Sequence, residues 1–321
     1  MGETTLAGTP EFDALRARLR GVQEGRGLPL SDIARRSDIA YPTLAAWLAG
    51  KYAGNNVRVA QQVEVWLNSV AEETTARAAT PVLPTYVETP TAHAMMDTLG
   101  HAQFVPDIVV ITGGAGVGKT TACRQYQATH PNVWMLTGEP ACGSAHGVLE
   151  YVCDVLRITE GAPNRRSLAA TRRVIGTGGL FIIDEAQHMT TAGLEQLRVL
   201  HDKGGIGLAL VGNNEVFARL EGGGRQAQFA QLFSRVGMRL TRNRPLVADV
   251  DALLEAAGIA GAPERKLLRM VAAKPGALRG MSKLLRVAQI VAAADGGEMQ
   301  ARHLSEAWER LAGSAQIAEP A

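Results

Sequence analysis

An α/β core built on a parallel sheet, preceded by a small all-α module and followed by a helical lid, is the fold predicted by three features of this 321-residue sequence. Four short runs at 108–112, 132–137, 180–183 and 208–211 read as strands separated by helix-forming segments, and Leu180 to Ile183 is apolar without alternation, as a strand covered on both faces must be. The run Gly113-Gly114-Ala115-Gly116-Val117-Gly118-Lys119-Thr120 joins the first strand to a helix with the spacing of a phosphate-binding P-loop. Short apolar-periodic segments with helix punctuation occupy both ends of the chain.

The amino-terminal module, expected over 1–72, reads as four helices at 11–20, 30–36, 41–50 and 57–67. Ser31 is the expected cap of the second; Pro42 near the start and Gly50 at the end punctuate the third. Ile33, Ala34, Ile39, Leu44 and Trp47 form the candidate core of a helix-turn-helix. Its second helix would present Tyr41, Thr43 and Lys51 to a DNA groove or its phosphates. A helical protein-interaction module has the same pattern. Residues 73–90, rich in Thr, Ala and Pro with Pro81, Pro84 and Pro90, are expected to be a linker. The α/β domain is expected over 91–243. The lid is expected over 244–321, with helices at 247–257, 264–273, 278–294 and 301–312.

Glycines let the P-loop turn tightly so that successive N–H groups face inward, and the following helix offers its positive end to the same point. Gly113 to Gly118 therefore predict backbone contacts to the phosphates of ATP or GTP, with Thr121 beside them. Lys119 would reach the β- and γ-phosphates and Thr120 would hold Mg²⁺. Asp184 ends the third strand, where ligands of open α/β sheets collect, and is expected to hold the Mg²⁺ shell through water. Glu185 is placed to polarise an attacking water. His188 reads as a polar helix-start residue or a sensor. Asn213, with Asn214 as fallback, ends the fourth strand and can hydrogen-bond the water or γ-phosphate, or cap the next helix. Arg235, with Arg242 as competitor, is the candidate arginine finger for a neighbouring subunit. Arg279 sits in the first turn of a helix, a costly place for a cation unless an anion faces it.

The net charge of +2 does not announce a nucleic-acid binder. Local clusters remain candidates: Arg165, Arg166, Arg172 and Arg173 on one helix, and Arg225 after Gly222-Gly223-Gly224, could each face DNA, a neighbouring subunit or solvent. Three cysteines without paired metal spacing suggest neither zinc nor a disulfide framework, and no targeting or bilayer-spanning run is present, so a soluble cytoplasmic protein is expected.

Together the P-loop, the Asp184-Glu185 strand end, Asn213, Ser234-Arg235 and Gly276-Ala277-Leu278-Arg279 resemble the AAA+ ATPase family. Within it, the chain resembles the Mu phage B transposition group. More specific strings carry that likeness: Tyr86-Val87-Glu88-Thr89, Asn132-Val133-Trp134-Met135, Leu210-Val211-Gly212-Asn213, Phe229-Ala230-Gln231-Leu232-Phe233-Ser234-Arg235 and Lys274-Pro275-Gly276-Ala277-Leu278-Arg279. The resemblance implies a DNA- and partner-stimulated ATPase using ATP and Mg²⁺. Such a protein binds double-stranded DNA with little sequence preference, assembles on it as helical filaments, delivers it to a DDE transposase and stimulates strand transfer, with hydrolysis driving disassembly. It carries roles to Lys119, Thr120, Asp184, Glu185, Asn213, Arg235 and Arg279. A helicase loader or replication initiator shares the same core, and a nucleotide-regulated transcription factor is the alternative of another class.

Overall fold

The computed structural model describes residues 10–79, 84–214 and 235–312. Arg225, the glycines before it and the Phe229 to Ser234 string lie outside the described residues. The chain divides into two compact units, Met1–Pro81 and Val82–Ala321.

The first unit is all helical: α1 (Pro10–Arg26), α2 (Leu30–Arg36), α3 (Tyr41–Leu48) and α4 (Asn56–Ala79). Ile33, Ala34, Ile39, Leu44 and Trp47 are all buried, joined by Phe12 and Leu19 from α1 and by Val59, Val63, Trp66 and Leu67 from α4. The turn between α2 and α3 is closed by Ser37, whose hydroxyl donates to Ile33 O at 2.8 Å, and by Asp38 at φ 53°. Arg16 is buried beneath α3. Its Nε donates to Trp47 O at 2.7 Å and its guanidinium lies 5.0 Å from the Trp47 ring centroid, so a cation meets the negative end of that helix. Two expectations are corrected. Ser31 is not the cap of α2, because it lies inside the helix, whose N-cap position is Pro29, with no side-chain cap. The residues after 72 are not linker at first, because α4 carries on to Ala79: its Thr and Ala residues continue a helix already paid for by the packed first half.

The second unit begins with α5 (Pro90–Phe104), capped by Thr89, whose Oγ1 accepts from Ala92 N at 3.1 Å. A five-stranded parallel sheet follows: β1 (Ile108–Gly113), β2 (Val133–Thr137), β3 (Leu180–Asp184), β4 (Gly207–Gly212) and β5 (Val236–Arg242), in the order β2-β3-β4-β1-β5. Side chains alternate between two faces. Ile108, Val110, Phe181, Ile183, Leu208 and Leu210 pack against α7 (Ala145–Val155), α8 (Pro163–Val174) and α9 (Thr191–Gly204). Val109, Ile111, Leu180, Ile182, Ala209 and Val211 pack against α5 and α6 (Lys119–Thr129). Both faces of the central strands are thus covered, which is why their sequences lack polar alternation. The edge strand β5 was not among the expected strands. It does alternate, with Val236, Met238 and Leu240 half-buried and Gly237, Arg239 and Thr241 exposed.

The remaining helices, α10 (Val247–Ala256), α11 (Ala262–Ala272), α12 (Ala277–Ala294) and α13 (Ala301–Ala312), enclose a core of their own around Leu254, Leu268, Met281, Leu284 and Leu304. Asp249, fully buried in the first turn of α10, joins this bundle to α5. Its Oδ1 accepts from Thr91 N at 2.8 Å, and its Oδ2 accepts from Thr91 Oγ1 at 2.6 Å and Leu246 N at 2.7 Å. No described helix is long and apolar enough to cross a membrane.

Candidate nucleotide site

The glycines of the loop after β1 are where other backbones come too close for a side chain. A Cβ on Gly113 would lie 1.9 Å from Arg242 O, and one on Gly114 2.3 Å from Asn243 O. Gly116 and Gly118 have φ of 82° and 100°, in the left-handed region that favours glycine. Gly118 is the N-cap of α6 without a side-chain cap, so the first N–H groups of that helix face the loop and form an anion-binding concavity. The carbonyl of Gly276, just before α12, would lie 2.0 Å from a Cβ on Gly116. The lid therefore rests directly on the phosphate loop.

Lys119 Nζ donates to Gly113 O at 2.8 Å and Gly114 O at 2.9 Å. Burial pushes its pKa below the ordinary lysine value, while Glu185 and Asp184 work in the opposite direction. Cys123, one turn further along α6, is buried and its thiol pKa is raised by that burial. Thr120 Oγ1 donates to Asp184 Oδ2 at 2.8 Å, and Glu185 N donates to Asp184 Oδ1 at 3.0 Å. This hydroxyl and carboxylate are oxygen donors suited to Mg²⁺. Among the described residues no cluster of three or more His, Cys, Asp or Glu could hold a metal ion.

A cavity of about 420 Å³ runs from this loop in two directions. At one end Pro84, Thr85, Tyr86 and Val87 meet Leu253 and Leu278 of the lid, an apolar slot suited to a base. At the other end stand Glu185, Gln187 and Asn213. Arg279 and Ser282 of α12 line the lid side, which puts Arg279 on the cavity as its position in a first helical turn suggests. Thr121 also lines the cavity.

Glu185 has φ 52°, and the short 3₁₀ turn Ala186–His188 begins directly after it, with Ala186 and Met189 buried on either side of Gln187 and His188. His188 is exposed at the end of that turn. Asn213 lines the cavity, and Asn214 Nδ2 donates to Asn243 Oδ1 at 2.9 Å.

Arg235 does not join this site. It precedes β5, and in a parallel sheet that puts it at the end of the strands opposite the loop, roughly 20 Å along a seven-residue strand from the loop's neighbour Arg242. Its Nη1 lies 2.6 Å from Asp202 Oδ1 in an exposed pair. Arg242, by contrast, lies beside the chain's own loop, its carbonyl accepting from Gly114 N at 3.0 Å. On α8, Arg165, Arg172 and Arg173 are exposed. Arg166 departs from the expected open face, since its Nη1 donates to Glu150 Oε1 at 2.7 Å and its Nε to Glu160 O at 3.2 Å. Tyr41 is 53% exposed, Thr43 half-buried and Lys51 exposed on the first unit.

The sequence-based reading did not single out Gln187 or the base-end residues Thr85 to Val87 as part of the site. The Tyr86-Val87-Glu88-Thr89 run just before a Pro-started helix was their available signal. For Gln187 the only signal was adjacency to the acidic pair.

The close approach at Gly116 yields a direct test. Gly116→Ala is expected to weaken nucleotide binding by about tenfold or more, because the methyl group meets a backbone carbonyl in addition to a left-handed strain of about 1–2 kcal/mol. Gly118→Ala carries the strain with no atom within 4 Å and is expected to lose less. Titration of both variants with a fluorescent ATP analogue checks the order; equal losses would remove the lid contact as the cause.

Comparison with known proteins agrees with this geometry. Residues 103–220 match the family described as AAA domain, and residues 234–311 match Mu B transposition protein, C terminal. The chain is 38% identical to ATP-dependent target DNA activator B of Escherichia phage Mu over 300 residues, 92% of this chain and 95% of that protein. It is 33% identical to the Mu-like prophage FluMu DNA transposition protein B of Haemophilus influenzae over 254 residues, 78% and 87% of the two chains. Among solved structures, the Drosophila ORC bound to DNA matches with a TM-score of 0.50 at 14% identity, over 75% of this chain and 66% of that one, which is a likeness of fold. The chain belongs to the Mu B transposition protein family, and its second unit is an AAA+ ATPase core with a helical lid.

Proposed function

We propose that this ATPase binds double-stranded DNA with little sequence preference, assembles on it as an ATP-dependent helical filament, and delivers that DNA to a DDE transposase whose strand transfer it stimulates. The observation that carries the reading is the separation of Arg235 from its own nucleotide site. A cation at the end of the strands opposite the loop serves a γ-phosphate only when another copy presents one, and its exposed pair with Asp202 is of the kind worth about 0–1 kcal/mol, readily exchanged for a phosphate partner. The similarity to an ATP-dependent target DNA activator, extending over nearly the whole chain, supports the DNA and transposase parts.

In this reading Lys119 and the N–H groups from Gly113 to Thr121 orient the phosphates, and Thr120 and Asp184 hold Mg²⁺, which when bound neutralises charge on the β- and γ-oxygens. Glu185 accepts a proton from the water that attacks the γ-phosphorus as the bond to the β-phosphate oxygen breaks; Asn213 orients that water, and Arg279 reports the phosphates to the lid. Aligned copies add many weak phosphate contacts, so affinity depends on assembly and salt rather than on base sequence. Tyr41, Thr43, Lys51, Arg165, Arg172, Arg173 and Arg225 are the residues proposed to face DNA.

The test is electron microscopy of the chain on random-sequence duplex DNA with ATP, a nonhydrolysable analogue or ADP. Helical arrays are expected with the analogue, dissolving in ADP and failing to form with Arg235→Ala. Discrete particles with no DNA coating in every state would sink the proposal and favour a loader or a regulator.

A further inference from the structure

Gln187, a cavity residue beside Glu185, makes hydrogen bonds in two directions at once. Its Nε2 donates to Glu185 Oε2, and its Oε1 accepts from Asn213 N at 3.3 Å. The two partners fix which end of the amide is which. They belong to different strands: Glu185 leaves the end of β3, whereas Asn213 directly follows β4, and β3 and β4 are paired neighbours.

The backbone beneath Gln187 is held firmly. The 3₁₀ turn is closed by His188 N to Glu185 O at 3.1 Å and Met189 N to Ala186 O at 3.1 Å, and Ala186 and Met189 are anchored in the core. Gly138, after β2, closes against the same place: its N donates to Asp184 O at 2.7 Å, and a Cβ on it would lie 2.6 Å from Glu185 O. Backbone on both sides of Glu185 is thus fixed, and its side chain is the part left to be directed. A glutamate side chain has rotamers to lose, and a charge-assisted hydrogen bond from a rigidly placed donor selects among them.

We propose that Gln187 is a positioning residue that holds the Glu185 carboxylate in register with the end of β4, so that the proton acceptor and Asn213 address the same water. This rests on Glu185 being the proton acceptor of the proposed function. Gln187 touches neither nucleotide nor water in this role; it acts through Glu185.

The experiment measures turnover, KM and equilibrium nucleotide affinity of the full-length chain with random-sequence duplex DNA, for Gln187→Met, Glu185→Gln and the Glu185→Gln/Gln187→Met pair. Gln187→Met keeps the length and removes both hydrogen bonds; it is expected to lower kcat about tenfold with KM and affinity within about twofold, a loss smaller than removal of the acid–base group itself. The double variant is expected to be no slower than Glu185→Gln alone, because the amide has then nothing to position. Native turnover in Gln187→Met with an inactive Glu185→Gln overturns this inference and leaves the Glu185 reading standing. An active Glu185→Gln overturns that reading and this inference with it. Affinity falling in step with kcat, or additive losses in the double variant, would each overturn the positioning role.

Discussion

Glu185→Gln is expected to lower ATP turnover by at least about a hundredfold while leaving nucleotide affinity within about threefold. The reason lies in how the two adjacent carboxylates are occupied. Asp184 is 2% exposed and both its oxygens are engaged, one by Thr120 Oγ1 and the other by Glu185 N. Glu185 instead lines the cavity. A proton acceptor in this position supplies about 10²–10⁴ in rate. Glutamine has the same shape and can turn its oxygen toward Gln187 Nε2, so the substitution removes charge and basicity without opening a gap. Phosphate release at saturating ATP and a parallel binding titration check both halves. Turnover above a tenth of native would remove Glu185 from the chemistry. Asp184→Asn should behave differently, losing Mg²⁺-dependent affinity as well as rate, because one of its oxygens meets the Thr120 hydroxyl on the loop side of the site.

Parts of this site were legible in the sequence because they are local. A loop that turns on Gly116 and Gly118 must be glycine at those places wherever the chain is found, and Asp184 and Glu185 emerge from a strand whose unbroken apolar run already says it is central. The core of the first unit was legible for the same reason, since Leu44 and Trp47 lie one turn apart on α3 and Ile33 and Ala34 sit together on α2. What could not be read depends on partners distant in sequence. Arg166 looks like its neighbours Arg165 and Arg172 until α7 brings Glu150 to it. Gln187 is an ordinary polar residue until the end of β4 places Asn213 N against it. The segment from Thr85 to Val87 has the composition of a linker, and only the closing of Leu253 and Leu278 over it makes it a wall of the cavity. Arg235 was legible as a finger candidate but not its place at the end of the strands opposite the loop, because that follows from the parallel pairing of the edge strand β5 with β1.

The same distance in sequence conceals Asp249, and substitution there is expected to have the largest effect on stability. A carboxylate in the first turn of a helix normally caps that helix in water, for a modest gain. Here it is fully buried and also takes both donors of Thr91, a residue 1% exposed at the start of α5. Asp249→Ala would strand Thr91 N, Thr91 Oγ1 and Leu246 N together, each at about 1–3 kcal/mol, and a total loss of about 3–5 kcal/mol is expected since the site can partly relax. For a unit of this size that lowers its melting temperature by roughly 10 °C. Asp249→Asn keeps the shape and one oxygen, and the Thr91 hydroxyl can rotate to accept from the new amide, so a smaller loss is expected. The first unit has its own core, so its transition should not move in either variant. Calorimetry of the full-length chain separates the two transitions, and an unshifted second transition in Asp249→Ala would show that the clamp contributes nothing. Because α5 follows directly on the Thr85 to Val87 wall and α10 carries Leu253, the clamp fixes the two sides of the base slot against each other. Asp249→Asn should therefore weaken ATP binding more than it lowers turnover at saturating ATP, the opposite pattern to Glu185→Gln.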